Sequence, residues 1–298
     1  MKNIESIRHG DRVMGEDGSY GEALSAVGRE NAKKKSLDYY KEIKESPEGT
    51  VFFMVTSNIE RAIDTRSAIE EGIEALIKEE DNIEVILVKD VEKVELAKKN
   101  EESKYVVKDS YPNSLLGLGA FKEDNHDLLL FHKLTKKYKN NSVLALKTWI
   151  TKKDEVDDLK NEIVGEVSDV DIEKIKPSDF NFSPEDFILS YFKFLKRISE
   201  IADKHFPGRP WKCLQVGHDV QLDFSAMFLL EGEISLKAFE KIKKLRNFLE
   251  SSQIDIHDGK MIFKYRDLEK EIEVGFGELI ENLKEASKKR KQEWNKNR

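Results

Sequence analysis

Apolar residues along this chain fall into two alternating rhythms. Short β-rich runs at residues 3–8, 50–55 and 83–88 are each followed by a longer stretch, two of which carry clear helical spacing. In the first run Ile4 and Ile7 lead into Arg8-His9-Gly10-Asp11, where the glycine and aspartate break the strand pattern. Residues 11–22, rich in Gly, Asp and Glu, read as a loop. Leu24, Val27, Leu37, Tyr40 and Ile43 then fit one helix, which Ser46-Pro47-Glu48-Gly49 stops. Ile63, Ile69, Ile73 and Leu76 mark an amphipathic helix from Ala62 to Lys78, and Ile83 to Val88 reads as the third strand.

Residues 95–182 are less regular. Leu128 to Tyr138 has helical character, Val143 to Ile150 reads as a strand, and the whole stretch is expected to be an insertion over the core. Ser183-Pro184-Glu185 is a helix start, with Ser at the N-cap and Pro at the first helical position. Phe187, Tyr191, Phe194, Leu195, Ile198 and Ile201 line that helix to about His205. A strand follows at Lys212 to Gly217, then helices from about Leu222 and from Ser235 to Leu249. Terminal β-structure spans residues 254–274 with a turn at Asp258-Gly259, and a last helix runs from Phe276 to Arg298. Alternation of strand and helix predicts an α/β layered fold.

The 298 residues fit one large α/β domain or two smaller ones. Lys plus Arg number 51 and Asp plus Glu 58, a net charge of −7, which opposes general nucleic-acid binding. An anionic substrate must therefore be held by a local arginine cluster. The single cysteine, Cys213, sits in an apolar run and reads as a buried small residue. With no N-terminal signal pattern and no apolar stretch near the ~20 residues of a membrane helix, a soluble cytoplasmic protein without membrane or nucleic-acid partners is expected.

Three expected strand ends carry basic side chains. Arg8 and His9 follow the first, Arg61 follows Ser57-Asn58-Ile59-Glu60 after the second, and His218-Asp219 follows Gly217 after the strand at 212–217. Strand ends are where an α/β sheet builds its site. Arginine matches a phosphate dianion in bidentate fashion and stays protonated. A neutral histidine can serve as nucleophile when one ring nitrogen is oriented by a hydrogen bond at the other. Arg61 at a helix start opposes the macrodipole, a local violation that favours a functional role. Arg12 divides evenly between pocket and solvent. His126, His132, His205 and His257 have no partner pattern.

Taken together these segments resemble the histidine phosphatase superfamily, the phosphoglycerate-mutase-like group. Arg8-His9-Gly10 resembles its nucleophile motif, Leu24-Ser25-Ala26-Val27-Gly28 its first helix start, Ser57 to Thr65 the segment supplying the second arginine, and Gly217-His218 the second histidine. The resemblance implies one domain with a three-layer phosphoglycerate-mutase-like sheet flanked by helices and an insertion at 95–182. It implies a transient phosphohistidine on His9, with Arg8, Arg61 and His218 completing the phosphate pocket, Arg12 as a further phosphate ligand, and no metal or cofactor. The general acid has two candidates: Asp219, from the phytase-like His-Asp pair, and Glu95 or its neighbour Glu92, from the mutase-like position. Asp219 equally suits a helix cap. Gly15 stands where the mutase subgroup carries asparagine, and Met14 where the phytase branch carries proline. The implied activity is a cytoplasmic phosphomonoesterase acting on a small phosphate ester or a phosphoprotein. The alternatives are a mutase and a non-catalytic phosphate-binding scaffold.

Overall fold

The structure, a computed structural model, describes residues 2–14, 20–57, 59–87, 91–99, 102–108, 133–139, 141–151, 156, 158, 183–257 and 260–296. It is an α/β protein with an eight-stranded central sheet. The strands are β1 (Lys2–Arg8), β4 (Val51–Thr56), β5 (Ile83–Leu87), β6 (Lys104–Lys108), β7 (Trp211–Gly217), β8 (Ser251–His257), β9 (Lys260–Tyr265) and β10 (Leu268–Ile272), in the order β10-β9-β8-β1-β7-β4-β6-β5. β1, β7, β4, β6 and β5 run parallel, and β8, β9 and β10 form an antiparallel meander on the β1 side.

The register fixes two faces. Asn3, Glu5 and Ile7 align with Lys212, Leu214 and Val216, and these with Phe52, Met54 and Thr56. This face meets α1 (Ala26–Glu45) and α2 (Glu60–Leu76) in a core of Ile7, Phe52, Met54, Leu214 and Val216 with Ala32, Tyr39, Ile43, Ala62, Ile69 and Ile73. Ile4, Cys213 and Phe53 align on the opposite face, where Trp211 packs beside Phe53 and donates its indole N–H to Asp203, near the end of α5 (Pro184–His205). Burial on both faces explains why β4 reads as a nearly continuous apolar run, while β7 buries Lys212 and Gln215 among its apolar residues.

Further helices are α3 (Val91–Lys99), α4 (Ser142–Thr151), α6 (Asp219–Glu231), α7 (Leu236–Ile242) and α8 (Phe276–Lys296), and residues 133–137 are also helical. The chain divides into two compact units. The first, Met1–Lys122 with Phe194–Leu222 and Arg246–Gly275, holds the whole sheet. The second, Glu123–Lys193 with Asp223–Leu245 and Phe276–Arg298, is helical in its described parts. In that unit Trp149, Phe187 and Phe224 pack ring on ring, and Arg290 grips Glu185 with two of its nitrogens.

Several expectations are corrected. Residues 11–22 are not a plain loop, because β2 (Arg12–Met14) and β3 (Tyr20–Leu24) pair antiparallel. On α1 the buried side is Gly28, Ala32, Ser36, Tyr39, Tyr40 and Ile43, whereas Val27 and Leu37 face solvent. Small residues let α1 approach α2, so packing rather than bulk chose the face. Val143–Ile150 is helical, not a strand. Asn141 caps it by accepting from Leu144 N, and Ala145, Leu146, Trp149 and Ile150 form the buried helical stripe. The helix from Ser235 stops at Ile242, where Lys243 turns to φ 68°. Lys104–Lys108, inside the expected insertion, is the strand between β4 and β5. The turn at Asp258-Gly259 and most of 109–182 lie outside the described residues.

Candidate active site

The site lies at the C-terminal edge of the parallel strands, within the first unit. Arg8 ends β1 opposite Gly217 at the end of β7, and the pairing continues one step further as His9 N donates to Gly217 O at 3.0 Å. Ser57 N donates to Val216 O, also at 3.0 Å. Backbone ladders therefore bring His9, Ser57 and His218 side by side, although they are far apart in sequence.

The loop after His9 is held by two close approaches. Gly10 N donates to Thr65 Oγ1 at 2.9 Å, and Thr65 Oγ1 donates to Arg61 O at 2.7 Å. Ser25 N donates to Asp11 O at 2.9 Å at the start of α1. A Cβ on Gly28 would lie 2.3 Å from that same carbonyl oxygen, so only glycine fits there. The Leu24–Gly28 segment thus supports the histidine loop by packing, and Thr65 does so by hydrogen bonding.

His9 is 1% exposed. Its Nδ1 lies 2.7 Å from Gly10 O. A carbonyl only accepts, so the proton is on Nδ1 and Nε2 carries a lone pair. Arg61 Nε donates to that Nε2 at 3.0 Å, and Arg61 Nη2 reaches His218 Nδ1 at 3.1 Å. Because guanidinium only donates, His218 Nδ1 accepts, and its Nε2–H donates to Ser57 Oγ at 3.1 Å. The two imidazoles are 4.9 Å apart, and both are neutral in this hydrogen-bond pattern. Burial is the largest cause holding the His218 pKa well below its usual value, followed by the electrostatic effect of the neighbouring His9 and the charges of Arg61, Arg12 and Arg8. Arg12 opens β2, and its N–H is held by Asp11 Oδ1 at 2.9 Å.

Arg61 occupies the first turn of α2, whose N-cap, Ile59, makes no side-chain cap bond. The positive end of the helix adds to the guanidinium, which suits an anion. Arg8 Nη1 donates to Arg246 O at 2.6 Å, and its guanidinium stacks 4.1 Å above the Phe248 ring. The sequence reading missed Phe248 and Arg246, because it placed both inside a helix. The sequence marks Ser57 as part of a motif, and only the fold makes it a partner of His218.

Of the expected residues, the structure gathers Arg8, His9, Arg61 and His218, with Arg12 close enough to act on His218. Asp219 opens α6 directly after His218, and its side chain lies outside the described residues, as does that of Glu92. Glu95 is not brought to the site. It lies on α3, paired with Lys98 Nζ at 2.5 Å, and its pKa is lowered chiefly by that contact. Two residues on, Ala97 O accepts from Arg209, which also binds Gly49 O at the start of the sheet. β7 runs seven residues from there to Gly217, about 20 Å at the rise of a strand. Glu95 therefore sits towards the opposite end of the sheet.

Among the described residues no group of three or more His, Cys, Asp or Glu side chains could hold a metal ion, and no helix is long and apolar enough to cross a membrane. No protein-family model matches the chain, and no curated protein matches it. Among solved structures it is similar to a mycobacterial glucosyl-3-phosphoglycerate phosphatase at 12% identity and a TM-score of 0.44, over 89% of this chain and 98% of the other. It is similar to the alpha-ribazole phosphatase of Shigella flexneri at 17% identity and a TM-score of 0.37, over 86% and 91%. A phosphoglycerate mutase from Plasmodium falciparum is similar at 11% identity and a TM-score of 0.29, over 91% and 98%.

Proposed function

We propose that the protein is a phosphomonoesterase in which His9 is the nucleophile. The observation that carries this reading is the state of His9. Its Nδ1–H is spent on Gly10 O, which leaves the Nε2 lone pair aimed at the Arg61 guanidinium. A phosphoryl group bound by Arg61, Arg8 and Arg12 would meet that lone pair directly. Three permanent cations can neutralise a phosphate dianion, so the mechanism needs no metal.

In the first step Nε2 of His9 attacks phosphorus. The P–O ester bond breaks, its electron pair leaves with the ester oxygen, and Asp219 supplies the proton to that oxygen. In the second step water attacks phosphorus, the P–N bond breaks, and the water proton returns to the Asp219 carboxylate. Inorganic phosphate leaves, and His9 regains its lone pair. His218, neutral when the site is empty, donates to a phosphoryl oxygen as the dianion's charge raises its proton affinity. The substrate class is a small phosphate ester or a phosphorylated protein.

Phosphate binding without turnover is the second reading. The position of Glu95 favours it, since one of the expected acids is engaged with Lys98 away from His9. Hydrolysis of an aryl phosphate by wild type and by His9→Ala, in chelator, separates the two. Turnover that survives chelator and vanishes in His9→Ala supports the enzyme. Vanadate binding with no turnover at any pH from about 4 to 8 supports the binding protein.

A further inference from the structure

The turn at residues 246–250 is built around Arg8. Glu250 N donates to Asn247 O at 3.2 Å, and Asn247 N donates to Glu250 Oε2 at 2.7 Å. Between them Leu249 adopts φ 57°, a left-handed conformation that costs a leucine about 1–2 kcal/mol. Such strain persists only where the surroundings over-determine it, and it concentrates at functional sites. Here the constraints converge on one residue. Leu249 N donates to Arg8 O at 3.1 Å, and Arg8 N donates to Glu250 O at 3.2 Å, so the turn is laced to the Arg8 backbone. The carbonyl of Arg246 takes one guanidinium hydrogen of Arg8, and the half-buried Phe248 ring lies beneath the same guanidinium, 4.1 Å from ring centroid to Cζ.

The turn is itself anchored from below. Arg246 is 1% exposed, and its Nη1 donates to Ser6 O and Ser252 Oγ, both at 3.1 Å, while its guanidinium stacks on Tyr265. Arg266 binds the Glu250 carboxylate at 2.5 Å. Phe248 also touches the His9 ring, with centroids 5.8 Å apart. One aromatic ring therefore contacts both the cation and the nucleophile of the site.

We propose that Phe248 is a positioning residue that, with the Arg246 carbonyl, holds Arg8 in the orientation that receives the phosphoryl group. This role rests on the phosphatase reading of the site. A guanidinium left to rotate must be ordered by each substrate, whereas a stacked one is ordered in advance. Phosphate is held equally in the ground and transition states by Arg8, so loss of the ring raises KM and the vanadate Kd more than it lowers kcat.

The test compares Phe248→Leu, which keeps apolar volume without a ring face, with Phe248→Tyr, which keeps the face. Orthovanadate affinity and aryl phosphate kinetics are measured for both, with thermal midpoints as the folding control. Phe248→Leu is expected to weaken vanadate about five- to tenfold, in line with a partly desolvated cation–π contact, and to raise KM similarly. Phe248→Tyr is expected to stay within about twofold of wild type. Equal vanadate affinity in Phe248→Leu and wild type overturns the positioning role, as does an equal loss in both variants, which marks simple packing. If wild type itself binds no vanadate, the phosphatase reading falls first and the positioning role falls with it.

Discussion

Arg61 donates its Nε hydrogen to His9 Nε2 across 3.0 Å, so the cation rests on the atom assigned as nucleophile. In the empty site this contact holds the lone pair and fixes its direction. Under the proposed function the same guanidinium would turn its donors to the phosphate oxygens of a bound phosphoryl group. Arg61→Ala is expected to lower kcat/KM for an aryl phosphate by about 10²–10³, the usual loss on removing a preorganised donor. Arg61→Lys should recover little of it, because a point charge cannot serve both imidazoles as the planar fork does. A lysine variant with wild-type kinetics would contradict this role.

The neutral His218 links the site to stability. Its folded pKa is held well below the usual value by burial first and then by the electrostatic effect of His9 and the charges of Arg61, Arg12 and Arg8. In the unfolded chain the same group protonates near ~6.5. Below that pH the unfolded state binds the extra proton and gains, so stability is full above about 6.5 and falls as the pH drops beneath it, by up to ~1.4 kcal/mol per pH unit. Urea unfolding at pH 8 and pH 5 measures this. Wild type should lose more stability than His218→Asn over that interval, and an equal loss in the two would remove His218 from the account.

Under the site, Lys212 Nζ lies 2.7 Å from Glu5 Oε2 and 2.6 Å from Glu42, and Tyr39 donates to Glu5 at 2.9 Å. Lys212 keeps its charge, with its pKa raised by Glu5 and Glu42 against burial, and Glu5 is lowered by Lys212 against burial. Removing one partner strands the other. Lys212→Met is expected to cost about 3–5 kcal/mol in urea unfolding while the folded protein binds vanadate as before. Pairing it with Glu5→Gln should restore part of that loss. An unchanged unfolding midpoint in the single variant would contradict the pair's structural weight.

The two acids expected from sequence should part company. Glu95 is engaged with Lys98 at 2.5 Å on α3, away from the His9 end of the sheet, so Glu95→Gln should leave kcat within about twofold. Asp219→Asn should lower kcat by about 10²–10⁴, the range for general acid–base catalysis, with vanadate affinity retained. Rapid kinetics on the two variants checks this, and the reverse ranking would reassign the acid.

Gly28 tests the support of the loop. An added Cβ would meet Asp11 O at 2.3 Å and Asp11 N at 2.8 Å, both backbone atoms without room to yield. Gly28→Ala should therefore destabilise the protein by about 1–3 kcal/mol, the range for overpacking, and weaken vanadate by displacing the loop that carries Arg12. Thermal unfolding and vanadate titration of this variant decide the point.

The sequence showed the strands and the four clustered residues because both are local signals. β4 is an apolar run, β1 carries Ile4 and Ile7, and β7 carries Trp211, Cys213, Leu214 and Val216, and Arg8, His9, Arg61 and His218 lie at or just after strand ends. Less legible was whatever depends on distant partners. β6 reads as an unremarkable Lys-Tyr-Val-Val-Lys and becomes a strand by pairing between β4 and β5. The buried face of α1 is set by Gly28, Ala32 and Ser36, which hydrophobic periodicity undercounts. The break after Ile242 turns on the left-handed Lys243, a residue with no turn signature, and it hid Phe248 and Arg246 from the site. Glu95 was placed by order along the chain, and the fold put it towards the far end of the sheet.

The most direct test of the central claim is to trap the intermediate. Wild type mixed with an aryl phosphate and quenched in alkali within the first turnovers should carry a phosphoryl group on His9, stable to alkali, labile to acid and absent from His9→Ala. Mass spectrometry of the peptide containing His9 reads it. Turnover of the ester with no phosphoryl group on His9, or with one on another residue, would contradict the proposed role of His9.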